Sequence, residues 1–153
     1  MINILFVLIA FVCMECVAWL AHKYMMHGFL WFLHHDHHQR DDQGFFEKND
    51  YFFLIFATPG IIFIINGLLN QFSFTFFIGI GISLYGLAYF LVHDIFIHQR
   101  FKLFRNTDSI YLRAIRKAHK MHHKHLSKEN GECFGMLWVP VFYFKEALKR
   151  SAK

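Results

Sequence analysis

The sequence predicts an all-α integral membrane protein with about three spanning helices, a short interfacial or re-entrant apolar segment, and a histidine-rich dimetal site on the cytoplasmic side. Three observations predict it. The chain of 153 residues is 56% apolar and 20% aromatic, above the apolar share of roughly 45–50% usual in soluble domains. Three windows approach the length needed to cross a bilayer. Ten of the twelve histidines fall into two spacings, and each spacing occurs twice.

A spanning helix needs about twenty apolar residues, because about 1.5 Å of rise per residue must cover a hydrocarbon core about 30 Å thick. Ile2 to Ala21, with Glu15 as its single charge, meets this length, as do Tyr51 to Leu69 and the uncharged Phe72 to Val92. No Lys or Arg precedes the first window and no small-residue cleavage site follows, so it reads as a retained helix rather than a signal peptide. Thr58-Pro59-Gly60 is expected to kink the second helix. Gly79, Gly81, Ser83 and Gly86 give the third a small-residue face for close packing. The run Phe134 to Phe144 is interrupted by Pro140 and too short to cross, which makes it the interfacial or re-entrant segment. Residues 1–153 read as a single membrane-embedded domain.

Charge orients this bundle. All sixteen Lys and Arg lie at Lys23, Arg40 and Lys48, between Arg100 and Lys128, or from Lys145 onward. The 66–75 connection holds none. With three crossings every basic residue falls on one face, which the positive-inside rule makes cytoplasmic. The net charge of +5 then reflects topology and anionic-lipid contact, and no nucleic-acid motif accompanies it. Cys13, Cys16 and Cys133 form no C-x-x-C pair and read as reduced thiols.

The histidine motifs are His22 and His27 in HKYMMH; His34, His37 and His38 in HHDHH; His93 and His98 in HDIFIH; and His119, His122 and His123 in HKMHH. On an α-helix positions i, i+3 and i+4 lie within about 100° of one another, so each H-x-x-H-H aims three imidazoles at one small volume. An i, i+5 pair is about 140° apart, too wide for one metal and suited to straddling two. The predicted topology brings all four motifs to one face. Structural zinc sites need four ligands and usually include cysteine, whereas no cysteine adjoins these motifs. Imidazole suits iron, zinc and copper, so the residues indicate a metal centre without naming the metal.

In these residues, and in MECVAWLAHKYMMHG at 14–28, FEKND at 46–50, YFLVHDIFIHQR at 89–100 and AHKMHH at 118–123, the chain resembles the membrane fatty-acid hydroxylase and sterol desaturase superfamily. Within it, the resemblance is closer to the bacterial-type carotenoid hydroxylases. The resemblance implies a non-haem di-iron monooxygenase that inserts one atom of O2 at C3 of a carotenoid β-ionone ring, taking β-carotene to β-cryptoxanthin and zeaxanthin. It implies two iron ions, with zinc able to replace them on purification, and a bacterial inner-membrane location. It further implies that each motif divides its histidines between the metals, with His22, His34, His37, His93 and His119 on one and His27, His38, His98, His122 and His123 on the other.

Other residues are read around this centre. Glu15, seven residues before His22 and below the membrane surface, either orients a metal-bound imidazole or pairs with another polar group. Asp94 and Asp36 adjoin ligand histidines and either support them or serve as local caps and surface ion partners. His35 and His125 fall outside the spacing. No reductase motif occurs, so electrons come from an external donor, with ferredoxin the expected one; Arg113, Arg116, Lys117 and Lys120 offer it a basic surface. The substrate enters from the bilayer along the apolar helix faces. Two alternatives stand beside this reading: hydroxylation or desaturation of another lipid, and a membrane metal-binding or transport protein without redox chemistry.

Overall fold

In a computed structural model, residues 2–39 and 44–151 are described. Arg40 and Lys153, two of the basic residues used to orient the bundle, lie outside them. The described helices are α1 (Ile2–Leu20), α2 (Trp31–His38), α3 (Tyr51–Leu69), α4 (Phe74–Tyr89), α5 (Ile110–His122) and α6 (Val141–Ser151), with π-helical stretches at Ala21–Phe29 and Phe90–Ile97 and a 3-10 turn at Lys48–Asp50.

Three elements are long and apolar enough to cross a membrane: Ile2–Phe29, Lys48–Leu69 and Phe74–Ile97. The first and third are longer than expected because each runs straight from an α-helix into its π-helical, histidine-bearing end. The chain is a multi-pass membrane protein. Leu8, Ile62, Leu69 and Leu87 are among the exposed side chains on these helices, an outer surface suited to lipid rather than water.

Helix α4 packs against both α1 and α3. Lipid supplies little hydrophobic drive for helix pairing, so close backbone approach has to provide the contact. A Cβ at Gly79 would stand 2.8 Å from Gly60 O on α3, and one at Gly81 would stand 2.5 Å from Val7 O on α1. Both glycines act as the small-residue face predicts. Gly86 does not: a Cβ there would meet nothing within 4 Å. Pro59 lies inside α3, which continues through it to Leu69.

Outside the bundle, α5 buries Ala114, Ile115, Ala118, His119 and His122 along one stripe. Its apolar part meets Tyr143 and Ala147 of α6 on one side and Phe96, Ile97 and Met136 on the other. Ser109 starts the helix, its Oγ accepting from Leu112 N. The segment 134–140 folds back onto α1, where Met136, Leu137 and Trp138 donate their amides to Glu15. Helix α6 begins immediately after Pro140, a residue without an amide hydrogen that suits a helix start.

Candidate metal centre

The i, i+5 histidine pairs sit on the two π-helical stretches, which changes their geometry. In a π-helix the amide of residue i+5 bonds the carbonyl of residue i, as His98 N does to His93 O at 2.8 Å and Leu30 N to Met25 O at 2.9 Å. Residue i+5 therefore lies one turn above residue i rather than 140° round. The His22 and His27 rings are 5.2 Å apart and the His93 and His98 rings 4.4 Å apart. Each pair falls within one cluster instead of straddling two.

The imidazoles form two adjoining clusters. Ring nitrogens of His22, His27, His34, His38 and His122 all lie within 4.8 Å of one another, as do those of His37, His93, His98 and His119. His123 joins the second group, its Nε2 2.8 Å from His119 Nε2. The rings of His38 and His123, one from each cluster, stack at 4.5 Å. The division implied by the family resemblance is therefore not the one observed. Each H-x-x-H-H gives its i and i+4 histidines to its own half of the chain and its i+3 histidine, His37 or His122, to the other. Positions i+3 and i+4 differ by about 100° on a helix, so a helix lying between two clusters faces both.

The tautomers argue that cations belong here. Nδ1 of His22, His27, His38 and His122 faces the carbonyl oxygens of Phe134 (3.0 Å), Lys128 (3.2 Å), His125 (2.9 Å) and Glu132 (2.8 Å). His34 Nδ1 meets Asn49 Oδ1 at 2.7 Å, and His37 Nδ1 meets Glu47 Oε2 at 2.9 Å. These oxygens only accept, so each Nδ1 carries the hydrogen and Nε2 of the neutral ring keeps a lone pair. Yet His22 and His34 approach Nε2 to Nε2 at 3.1 Å, His27 and His122 at 3.3 Å. Facing lone pairs repel at that distance, and a divalent transition metal between them removes the conflict.

Burial keeps the ring nitrogens of these clusters free of protons. It lowers the His38 pKa to about 4, His122 to about 3 and His123 to about 2. His34, His37 and His119 fall well below the ordinary 6.5, again by burial first, with neighbouring imidazole charge adding to it. A metal bound at these six would displace no protons from them at neutral pH.

Of the remaining predicted residues, Glu15 takes the second of its two expected courses. Its Oε1 accepts from the amides of Met136, Leu137 and Trp138 at 2.9, 2.9 and 3.0 Å, and its Oε2 from Tyr85 Oη at 2.7 Å. It thus acts on the centre through the 134–138 segment, whose Phe134 carbonyl fixes His22. Asp94 Oδ2 lies 3.3 Å from His93 Nδ1, whereas Asp36 accepts from Lys48 N at 2.5 Å. His35 packs on Trp31, and His125 contributes its carbonyl to His38. On the basic surface Arg116 is already engaged, bonding three carbonyls and covering the Phe96 ring, and Lys117 pairs with Glu146. No histidine spacing marks Glu47 and Asn49, which hold His37 and His34; the FEKND stretch is their only trace in the sequence.

A cavity of about 480 Å³ lies between α1, α3 and α4, and its wall includes His22 and His93, one histidine from each cluster. Its wall includes Met14, Phe52, Phe56, Ile82 and Gly86, so Gly86 preserves open space rather than a helix contact. Polar groups along the wall are turned to protein partners, Ser83 Oγ to Gly79 O and Tyr85 Oη to Glu15. The cavity wall is mainly apolar, with Asn49, Asp50 and Asp94 as the polar side chains nearest the histidines.

These features define a multi-pass membrane protein with paired histidine clusters at one end of its helices and an apolar cavity leading to them. The chain belongs to the fatty acid hydroxylase family, which it matches over residues 7–142. It is 40% identical over 149 residues to a beta-carotene hydroxylase of Pantoea ananas, covering 97% of this chain and 84% of that protein. It is 33% identical over 153 residues to a beta-carotene hydroxylase of a Paracoccus species, covering 99% and 93%. A chloroplastic beta-carotene 3-hydroxylase of Arabidopsis thaliana is 37% identical over 134 residues, covering 86% of this chain and 42% of that protein. No solved structure matches the chain.

Proposed function

We propose that this chain is an O2-dependent di-iron monooxygenase that hydroxylates C3 of carotenoid β-ionone rings, taking β-carotene to β-cryptoxanthin and then zeaxanthin. The observation that carries the reading is the mainly apolar cavity whose wall includes a histidine from each cluster, His22 and His93. The names of the relatives supply the substrate class. The ten histidines are the ligands, five to each metal. Bound iron would supply the redox chemistry needed to activate O2 and break an unactivated C–H bond.

The chain's own residues position the hydrocarbon. Phe52, Phe56, Met14 and Ile82 enclose a ring that has no polar handle, so shape selects it. His22 and His93 mark where the reacting carbon stops. The reaction takes a ring C–H, O2, two electrons and two protons to C–OH and water. Those electrons come from an external reductant, a ferredoxin in this reading, reaching a cytoplasmic face that carries the histidines. The location is the bacterial inner membrane.

Expression in a host that makes β-carotene and contains ferredoxin is expected to yield β-cryptoxanthin and zeaxanthin. Unchanged β-carotene beside a metal-loaded protein would contradict the proposal, and a new hydroxylated or desaturated membrane lipid would favour the alternative substrate class. In the same host Gly86→Phe is expected to lower zeaxanthin formation by at least about tenfold through steric filling of the cavity, while the metal content stays at the wild-type level. Equal product from both proteins would remove Gly86 from the substrate path.

A further inference from the structure

We propose that the two metal positions are chemically unequal, the one around His37 and His93 binding its metal more tightly because the carboxylates of Glu47, Asp50 and Asp94, tied together by Arg100, surround it with net negative charge. This rests on the assignment of the ten histidines as ligands of two metals.

In the cluster of His22, His27, His34, His38 and His122, every Nδ1 partner is uncharged: four backbone carbonyls and the side-chain oxygen of Asn49. In the other cluster the Nδ1 partners of His37 and His93 are the carboxylates of Glu47 and Asp94, at 2.9 and 3.3 Å. Arg100 ties those carboxylates together. Its Nη2 lies 2.7 Å from Asp50 Oδ1 and 3.3 Å from Glu47 Oε2, and its Nε lies 3.3 Å from Asp94 Oδ1. Three carboxylates against one guanidinium leave a formal excess of two negative charges.

The turn is built to hold this arrangement. Glu47 N donates to Asp50 Oδ2 and Asp50 N to Glu47 O, both at 3.0 Å, so the two acids are fixed relative to one another. Asn49, between them, faces the other cluster through His34. A single turn thus gives a carboxylate to one metal position and an amide to the other.

A carboxylate that accepts from Nδ1–H raises the basicity of the opposite nitrogen, and hydrogen bonds to an ionised acceptor are stronger than neutral ones. Two such imidazoles, together with nearby negative charge in a largely buried site, favour a divalent cation beyond what carbonyl-held imidazoles provide. Arg100 is a positioning residue in this scheme, acting on the metal through Glu47 and Asp94.

The test is titration of the full-length, chelator-stripped protein in detergent with Co(II) alone, followed by visible absorption and by metal count. Two binding steps are expected, with dissociation constants separated by at least about tenfold. The near-isosteric Glu47→Gln is expected to weaken the tighter step by about 10–100-fold and to leave the weaker step in place. Asn49→Asp gives His34 a carboxylate and is expected to tighten the weaker step. Should Glu47→Gln fail to fold, Asp94→Asn carries the same test. Two equal steps in the wild type, or a Glu47→Gln effect spread over both steps, would overturn the inequality while leaving the dimetal reading intact. Fewer than two Co(II) per wild-type chain would overturn the ligand assignment itself.

Discussion

His37→Ala is expected to lose one metal per chain and to lower hydroxylation by at least about 100-fold, the upper end of the loss produced by removing a partner of a metal ligand. His37 stands on α2 beside His34 and His38, yet its Nε2 lies 3.0 Å from His93 Nε2, in the cluster of the other half of the chain. Removing it opens that cluster and leaves the Glu47 carboxylate without its imidazole donor. His122→Ala should mirror the effect at the opposite cluster, where His122 lies among His22, His27 and His38. His35→Ala, on the same helix as His37 but packed on Trp31, should retain both metals. Metal content by mass spectrometry and product by chromatography check all three. Loss of metal in His35→Ala with retention in His37→Ala would reverse the assignment.

Glu15→Ala is expected to be the most destabilising single substitution within α1. Three amides and one hydroxyl converge on this carboxylate, which is 7% exposed. A buried donor left without a partner costs roughly 1–3 kcal/mol, and four such losses amount to several kcal/mol before any relaxation. The damage reaches the centre, because the loop that Glu15 holds presents Phe134 O to His22 Nδ1. Glu15→Gln keeps an oxygen for the three amides and should recover most of the thermal stability and the metal content. Thermal unfolding in detergent reads both variants. An alanine variant as stable as the wild type would remove Glu15 from this structural role.

Much of this arrangement is legible in residue order. Tyr51–Leu69 is visible as a helix to the residue, and the charge pattern sends every histidine motif to one end of the bundle. The ten-histidine set follows from H-x-x-H-H and H-x-x-x-x-H each occurring twice. The partition within the set does not follow, because the 140° angle assumed for i, i+5 belongs to an α-helix and both pairs occupy π-helix. The exchange of His37 and His122 depends on how α2 and α5 are placed between the clusters, a tertiary relation that spacing does not encode. Gly86 reads like Gly79 and Gly81 in sequence, and only the neighbouring helices separate a packing glycine from one that faces a cavity. Glu15 is recognisable as a buried charge, but three of its four donors lie more than a hundred residues away in an irregular segment.

The most direct test of the central claim is metal analysis of the wild-type protein purified without oxygen and then exposed to O2. Two irons per chain are expected, both bound through histidine nitrogen and both oxidised when O2 is admitted. A single iron per chain, or two that stay ferrous under O2, would contradict the claim.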